Sequence, residues 1–154
     1  MGIIGAMSTK TELQDDLKKA MKANDKLSKR TLRMALAAIQ LAEVEKRGVL
    51  DENAILTILQ KEVKVRREAI DEARQANRPD LEAEAEAEIE VLEEYLPQPM
   101  TEEELEELAQ QVIDEVGAAS PREMGQVMKV LVPLLQGRAT GQEASQVVRK
   151  LLEQ

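Results

Sequence analysis

The sequence predicts an all-α protein, on three observations. Phe and Trp are absent and Tyr95 is the only aromatic residue, so the apolar 43% of the chain is Leu, Ile, Val, Met and Ala. The strong helix formers Ala, Leu, Met, Glu, Lys, Gln and Arg dominate the composition. Apolar residues recur at helical spacing between cap-like Ser, Thr, Asp and Gly residues. The expected layout is a leader over residues 1–8 and a helical domain of about four helices over 9–96. A proline linker over 97–100 then leads to a three-helix unit over 101–154.

Thr9 with Glu12 reads as a capping box for a first helix carrying Leu13, Leu17, Ala20 and Met21. Asn24-Asp25 is a corner. A second helix follows from about Lys26 to Arg47, with Leu27, Met34, Ala38, Leu41 and Ala42 as its apolar face and Gly48 as C-cap. Asp51 caps a long third helix whose face is Ile55, Leu59, Val63, Ile70 and Ala73, ending before Pro79. Asp80 is the expected cap of the fourth helix. There Glu82 to Glu88 alternates Glu with Ala at period two, as a strand would. Ala and Glu disfavour strands, however, and Leu81, Ala85, Ile89, Leu92 and Leu96 keep helical spacing, so helix is expected. Glu82, Glu86, Glu90 and Glu94 repeat at i, i+4 and repel unless Lys61, Lys64, Arg66, Arg67 and Arg74 of the third helix face them.

Leu96-Pro97-Gln98-Pro99 stops the fourth helix, because each proline pushes its predecessor out of the α region. Thr101 with Glu104 is the clearest helix start in the chain, and Met100 with Leu105 is placed as a hydrophobic staple. Leu105, Leu108, Val112, Ile113 and Val116 form that helix's face, closed by Gly117. Ser120-Pro121-Arg122-Glu123 opens the next, with Met124, Val127, Met128 and Leu131 as its stripe. Pro133 is expected to kink or end it, with Gly137 closing the segment. Thr140 with Glu143 caps the last helix, which carries Ala144, Val147, Val148, Leu151 and Leu152.

Absent residue types exclude whole chemistries. The chain has no Cys and no His, so disulfides, thiol catalysis and the usual zinc ligand sets are ruled out, as is the common general base at neutral pH. No run approaches the ~20 apolar residues of a membrane span. The glycines complete no phosphate-binding loop. Ser120 and Thr140 read as caps and not as nucleophiles, and the glutamates read as a solvated, ion-paired face and not as a Mg²⁺ or Ca²⁺ site. No catalytic residue, metal, cofactor or membrane partner is therefore expected. Met1 to Ala6 is apolar but too short and uncharged for a signal peptide. Met7 is the candidate natural start, residues 1–6 being a cloning remnant or an upstream-start extension, and a cytoplasmic location is the default expectation.

The net charge of −9 is unevenly spread. Residues 1–78 hold 16 Lys and Arg against 12 Asp and Glu, whereas residues 79–115 hold 15 acids and no base. Lys18, Lys19, Lys22, Lys26, Lys29, Arg30 and Arg33 fall in one stretch interrupted by a single acid, Asp25. Lys26, Lys29, Arg30 and Arg33 share a helix face at i, i+3, i+4 and i+7. That face is either a phosphate-contacting stripe or an ordinary solvated surface. With almost no aromatics, base-specific reading of single strands is not expected, so any RNA contact would be to backbone and would depend strongly on salt. Met124 and Met128 fit a core stripe, while Gly125 within a helix suggests that a neighbouring helix or a ligand approaches closely there.

Taken in order, several segments resemble the GatB/YqeY family over nearly the whole chain from about Lys10. They are Leu17 to Lys22, Thr31-Leu32-Arg33, Lys61 to Lys64 with Arg66-Arg67, and Arg78 to Leu81. Glu88-Ile89-Glu90, Tyr95-Leu96-Pro97, Met124-Gly125 with Val127-Met128, and Gly137-Arg138-Ala139 complete the set. The resemblance implies a helical N-terminal part and a C-terminal unit similar to the tail domain of the B subunit of the tRNA-dependent amidotransferase. That enzyme converts Glu-tRNA(Gln) or Asp-tRNA(Asn) to the amide form. Its tail contacts tRNA while the chemistry lies in other domains, so a carbon–nitrogen ligase activity with glutamine as amido donor would belong to the whole enzyme. Similar modules are also attached to a tRNA synthetase.

By this likeness Met124, Gly125, Met128, Gly137, Arg138 and the bases of the first two helices form the candidate tRNA surface. One departure stands out: the family often has Asp-Met-Gly-Lys where this chain has Glu123-Met124-Gly125-Gln126, which removes a phosphate contact. The expected function is a non-catalytic tRNA-associated accessory module, with an amidotransferase or an aminoacyl-tRNA synthetase as candidate enzyme partner. The alternatives are an accessory part of a glutamine-dependent tRNA amidotransferase system and a helical protein–protein adaptor.

Overall fold

The computed structural model describes residues 8–154, and its first unit, ending at Leu96, consists of two helical hairpins. Helices α1 (Thr9–Lys22) and α2 (Lys26–Lys46) form one, α3 (Glu52–Gln75) and α4 (Pro79–Glu93) the other. Helix α2 packs on both α3 and α4, and α1 reaches α3. As the sequence predicts, the described residues are all helix and connection, with no strand. The apolar leader and the candidate start Met7 lie outside the described residues.

Corners and caps hold the hairpins in register, not always at the expected residue. Asn24, Arg47 and Asn77 occupy the left-handed region, at φ 54°, 62° and 54°. Asn takes this conformation readily, whereas for Arg47 it costs on the order of 1–2 kcal/mol. The left-handed position thus falls one residue before Gly48, whose N–H instead closes on the Glu43 carbonyl. Ser8, not Thr9, caps α1 by accepting from the Thr11 N–H. Thr9 is buried, and its own N–H donates to the Glu52 carboxylate at 3.1 Å, tying α1 to the start of α3. Asp51 caps α3 as expected. Asp80 does not cap α4: Pro79 takes the first helical position, and Asp80 pairs with the Arg78 guanidinium at 2.9 Å.

The core of this unit is aliphatic. Ile55, Leu59, Val63, Ile70 and Ala73 of α3 are all buried, and Ala85, Ile89 and Leu92 of α4 close onto the same cluster with Leu13 and Ala20 of α1. Met21 and Leu81, expected inside, are exposed. On α2 the expected face is rotated. Thr31, Leu32, Ala35 and Ile39 are buried, while Met34 and Leu41 face outward. The helix carries two apolar stripes of similar strength, and only the placement of α1, α3 and α4 selects between them. Thr31 enters the core at no cost in unmet hydrogen bonds, since its hydroxyl donates to the Leu27 carbonyl.

One charged group is buried with the aliphatics. The Arg66 side chain, 6% exposed, donates to Glu88 Oε1 at 2.8 Å and to Glu62 Oε1 at 3.1 Å. It also reaches the Glu62 carbonyl and the Met34 sulfur. From the other side, Arg30 of α2 joins Glu84 at 2.7 Å and Glu88 at 2.9 Å. Three helices therefore meet at Glu88. Further along the hairpin Arg74 pairs with Glu82 and Glu86, and Arg67 with Glu93, so facing cations relieve much of the repulsion along α4.

The second unit runs from Pro97 to Gln154 and holds α5 (Glu102–Val116), α6 (Met124–Leu135) and α7 (Gly141–Leu152). Both expected capping boxes form, Thr101 with Glu104 and Thr140 with Glu143. Gly117 closes α5 in the left-handed region. Leu105, Val112, Ile113, Val127, Leu131, Ala144, Val148 and Leu152 make the core, with Met100, Met124 and Met128 packed at its edge. Ser120 makes no side-chain cap. Pro121–Glu123 is a 3-10 turn, and the Glu123 carboxylate accepts from the Ala119 N–H instead. Pro133 neither ends α6 nor begins its exit: the helix continues to Leu135, and left-handed Gln136 and Gly137 turn the chain. Gly125 is exposed, and a Cβ there would meet nothing within 4 Å, so the close approach inferred from its sequence position is absent.

Two stability changes should follow. Arg66→Ala leaves Glu88 and Glu62 without their buried partner and should cost about 3–5 kcal/mol in denaturant unfolding. Gly125→Ala fills open space on a helix and should stabilise by about 0.5–1 kcal/mol, read in the same way.

Candidate nucleic-acid interface

The basic set of the first two helices splits into two groups. The buried stripe of α2 runs through Thr31, Leu32, Ala35 and Ile39; Lys26 and Arg33 project from its opposite side, and Lys29 sits half-buried on the flank. Lys18 and Lys22 lie one turn apart at the C-terminal end of α1, across the Asn24-Asp25 corner. Among the described residues, Lys18, Lys22, Lys26, Lys29 and Arg33 make no ion pair. Lys19 has a 3.9 Å contact with Asp16 while remaining 81% exposed. Arg30, grouped with the rest by sequence, is turned to α4 by Glu84 and Glu88.

The placement of these cations is only partly what helix stability favours. Lys19 and Lys22 sit at the C-terminus of α1, where the helix dipole welcomes positive charge. Lys26 and Lys29 sit in the opposite situation, in the first turn of α2, which holds no acid. Asp25 alone offsets them. It caps α2 by accepting from the Ser28 N–H at 3.1 Å and the Ser28 hydroxyl at 2.8 Å, and these bonds hold its carboxyl below the usual carboxylate range.

Beside this corner lies a cleft of about 360 Å³ between α1, the start of α2 and the end of α4. Asp16, Lys19, Ser28, Val91 and Tyr95 are among its walls. Tyr95 Oη donates to Asp16 Oδ2. Burial first, and that hydrogen bond second, push the phenol well above its ordinary ionisation range. Sequence reasoning missed the cleft because its parts come from three separated segments. It treated Arg66 only as a facing counter-charge, although Arg66 falls on the Leu59, Val63, Ile70 stripe, a spacing that signals burial.

The candidate residues of the second unit are placed differently. Met124 and Met128 pack against its core, and Gly125 is exposed. Gly137 is a left-handed turn residue. Arg138 is a brace: its Nε donates to the Gln98 carbonyl and its terminal nitrogen to Glu104, each at 2.9 Å, while its own carbonyl accepts from the Met100 N–H at 2.8 Å. The Thr101 N–H bond of the capping box, then Arg138, hold the Glu104 carboxyl below its ordinary value. The structure therefore does not gather these residues into one cationic surface.

Comparison with known proteins identifies the class. Residues 10–152 match the family described as Yqey-like protein, and the chain belongs to that family. Several curated relatives carry the name altered inheritance of mitochondria protein 41, mitochondrial. The one from Lachancea thermotolerans is 41% identical over 87 residues, covering 56% of this chain and 46% of the relative. That from Pyrenophora tritici-repentis is 31% identical over 133 residues, 85% of this chain and 73% of the relative. That from Saccharomyces cerevisiae is 33% identical over 87 residues, 56% and 47% of the two chains. Apart from the Pyrenophora protein, the matched region spans about half the length of these relatives. Their names overturn the expectation of a cytoplasmic location, which rested only on lacking a targeting or membrane signal: these relatives are mitochondrial.

Tyr95 gives a direct test of the cleft geometry. Its folded-state pKa is raised, so the stability it contributes is complete below the unfolded value of about 10 and is lost as pH rises beyond it. Tyrosinate absorbance, from this one residue, should stay low at about pH 10.5 and rise only as helical circular dichroism falls. A midpoint near 10 with helix intact would contradict the buried hydrogen bond.

Proposed function

We propose that this chain is a non-catalytic RNA-binding accessory module that holds phosphate backbone on the α1–α2 corner. The observation that carries the reading is the sorting of cations. In a chain of net charge −9, Arg30, Arg66, Arg67, Arg74, Arg78 and Arg138 are ion-paired. Exposed Lys18, Lys22, Lys26 and Arg33 and half-buried Lys29, none of them ion-paired among the described residues, instead gather within sixteen residues about one corner. Other exposed bases outside ion pairs, such as Lys61, Lys129 and Arg149, are dispersed along the chain. Two of those five, Lys26 and Lys29, crowd the positive end of a helix, a cost that folding does not require and that an approaching polyanion would reverse. Long flexible lysines suit phosphates, which need charge more than fixed geometry.

The resemblance to the amidotransferase tail supports tRNA as the RNA concerned. It also supports an amidotransferase or an aminoacyl-tRNA synthetase as the enzyme served. On this reading the second unit contributes shape more than charge, because Arg138 is engaged internally and Gln126 stands where a lysine is often found. Any amide-forming chemistry belongs to the partner.

Binding of unfractionated tRNA measured across a salt series tests the reading. Five phosphate contacts give a log–log slope of about −4, near −0.9 per contact on duplex and −0.7 on single strands. Lys22→Glu with Lys26→Glu and Arg33→Glu should abolish binding while leaving the thermal midpoint nearly unchanged. Arg30→Glu should do the reverse in emphasis, lowering the midpoint by setting a third carboxylate against Glu84 and Glu88. A flat isotherm at low salt sinks the proposal.

A further inference from the structure

Resting on that reading and extending it, we infer that the cleft beside the basic corner takes one unstacked nucleotide of the bound RNA, with guanine as its preferred base. It is a shallow, open cleft of about 360 Å³, room for one nucleoside lying against its wall. The chain's one aromatic ring, Tyr95, is half-buried in the wall, with Val91 and Leu32 lining the same space. Leu32 is buried and only backs the wall, so the half-buried Tyr95 ring and Val91 are what offer a base a face to stack on.

The polar groups of the cleft set the base preference. Asp16, Asp25 and Glu94 present acceptors and no donors, and the internal hydrogen bonds of Asp16 and Asp25 position their carboxylates without using every lone pair. Guanine carries two adjacent donors, N1–H and the 2-amino group, which one carboxylate can accept together. Uracil presents one N–H flanked by carbonyls, which these carboxylates repel. The acids would also repel a phosphate, but the rim supplies its counter-charge: Lys19 lines the cleft, and Lys22 and Lys26 flank the Asn24-Asp25 corner beside it. The cleft and the lysine stripe thus divide one nucleotide between them, base inward and phosphate outward. This amends the expectation that a chain with almost no aromatics would not read bases: one ring suffices for one base when the fold places it beside the cations.

The test uses the full chain and three RNA probes: a heptauridylate, the same oligomer with one central guanosine, and a blunt duplex of matched charge. The guanosine oligomer should bind tightest, roughly tenfold or more above the others, and should shift the Ser28 amide and Tyr95 ring resonances. Tyr95→Leu should remove that advantage while leaving duplex binding as it was. Should Tyr95→Leu lose helicity, Val91→Glu serves instead, since it blocks the stacking wall from the surface of α4. Equal binding of all three oligomers, or unmoved Ser28 and Tyr95 signals, overturns the cleft assignment while the phosphate surface stands. Loss of all binding in wild type defeats both.

Discussion

The first unit is organised around the buried guanidinium of Arg66. A cation inside an aliphatic core is costly unless every donor finds an acceptor, and the acceptors come from fixed places on neighbouring helices. Glu62 lies one turn back on α3 and Glu88 comes from α4, while Arg30 of α2 uses the second oxygen of Glu88. Sliding α4 along α3 by one turn would break this set, whereas Leu, Ile, Val and Ala side chains would repack with modest loss. In a core without Phe or Trp, few other contacts are so particular. The charged network is what selects one register for the second hairpin and seats α2 upon it.

The second unit solves a similar problem with main-chain contacts. It is small, and its apolar side chains are again aliphatic, so its ends are closed by hydrogen bonds: two capping boxes, a left-handed glycine after α5, and the Arg138 brace. Arg138 joins the turn after α6 to Gln98, Met100 and Glu104, which is why a residue expected to face a ligand is engaged inside its own unit. The contrast between the units matters for function. Where arginines are paired, charge serves architecture; the solvent-facing lysines of the α1–α2 corner are left for a partner.

Much of the fold was legible in residue order, and the exceptions share a cause. The α3 stripe from Ile55 to Ala73, the capping boxes at Thr101 and Thr140 (though not the one expected at Thr9) and the helical state of the Glu-Ala repeat depend on local propensity and period, which neighbours only reinforce. The α2 face was misjudged because Leu27, Met34, Ala38 and Leu41 form as regular a stripe as Leu32, Ala35 and Ile39. The close approach inferred at Gly125 failed because a glycine in a helix marks freedom as well as crowding. The candidate site divided in the same way: the cluster of bases was visible as a run of lysines, but the departure of Arg30 to α4 and the cleft around Tyr95 were not.

By itself, then, the sequence determined helix, the caps at Asp51, Thr101 and Thr140, the helix stop at Leu96-Pro97 and a cationic segment in an acidic chain, since all of these follow from residues within a few positions of one another. Tertiary structure decided which stripe of α2 is core, that Arg66 is buried, which cations are spent on carboxylates, and that Asp16, Ser28 and Tyr95 share one cleft. Those outcomes depend on residues from three helices meeting in space, and no local period records such a meeting.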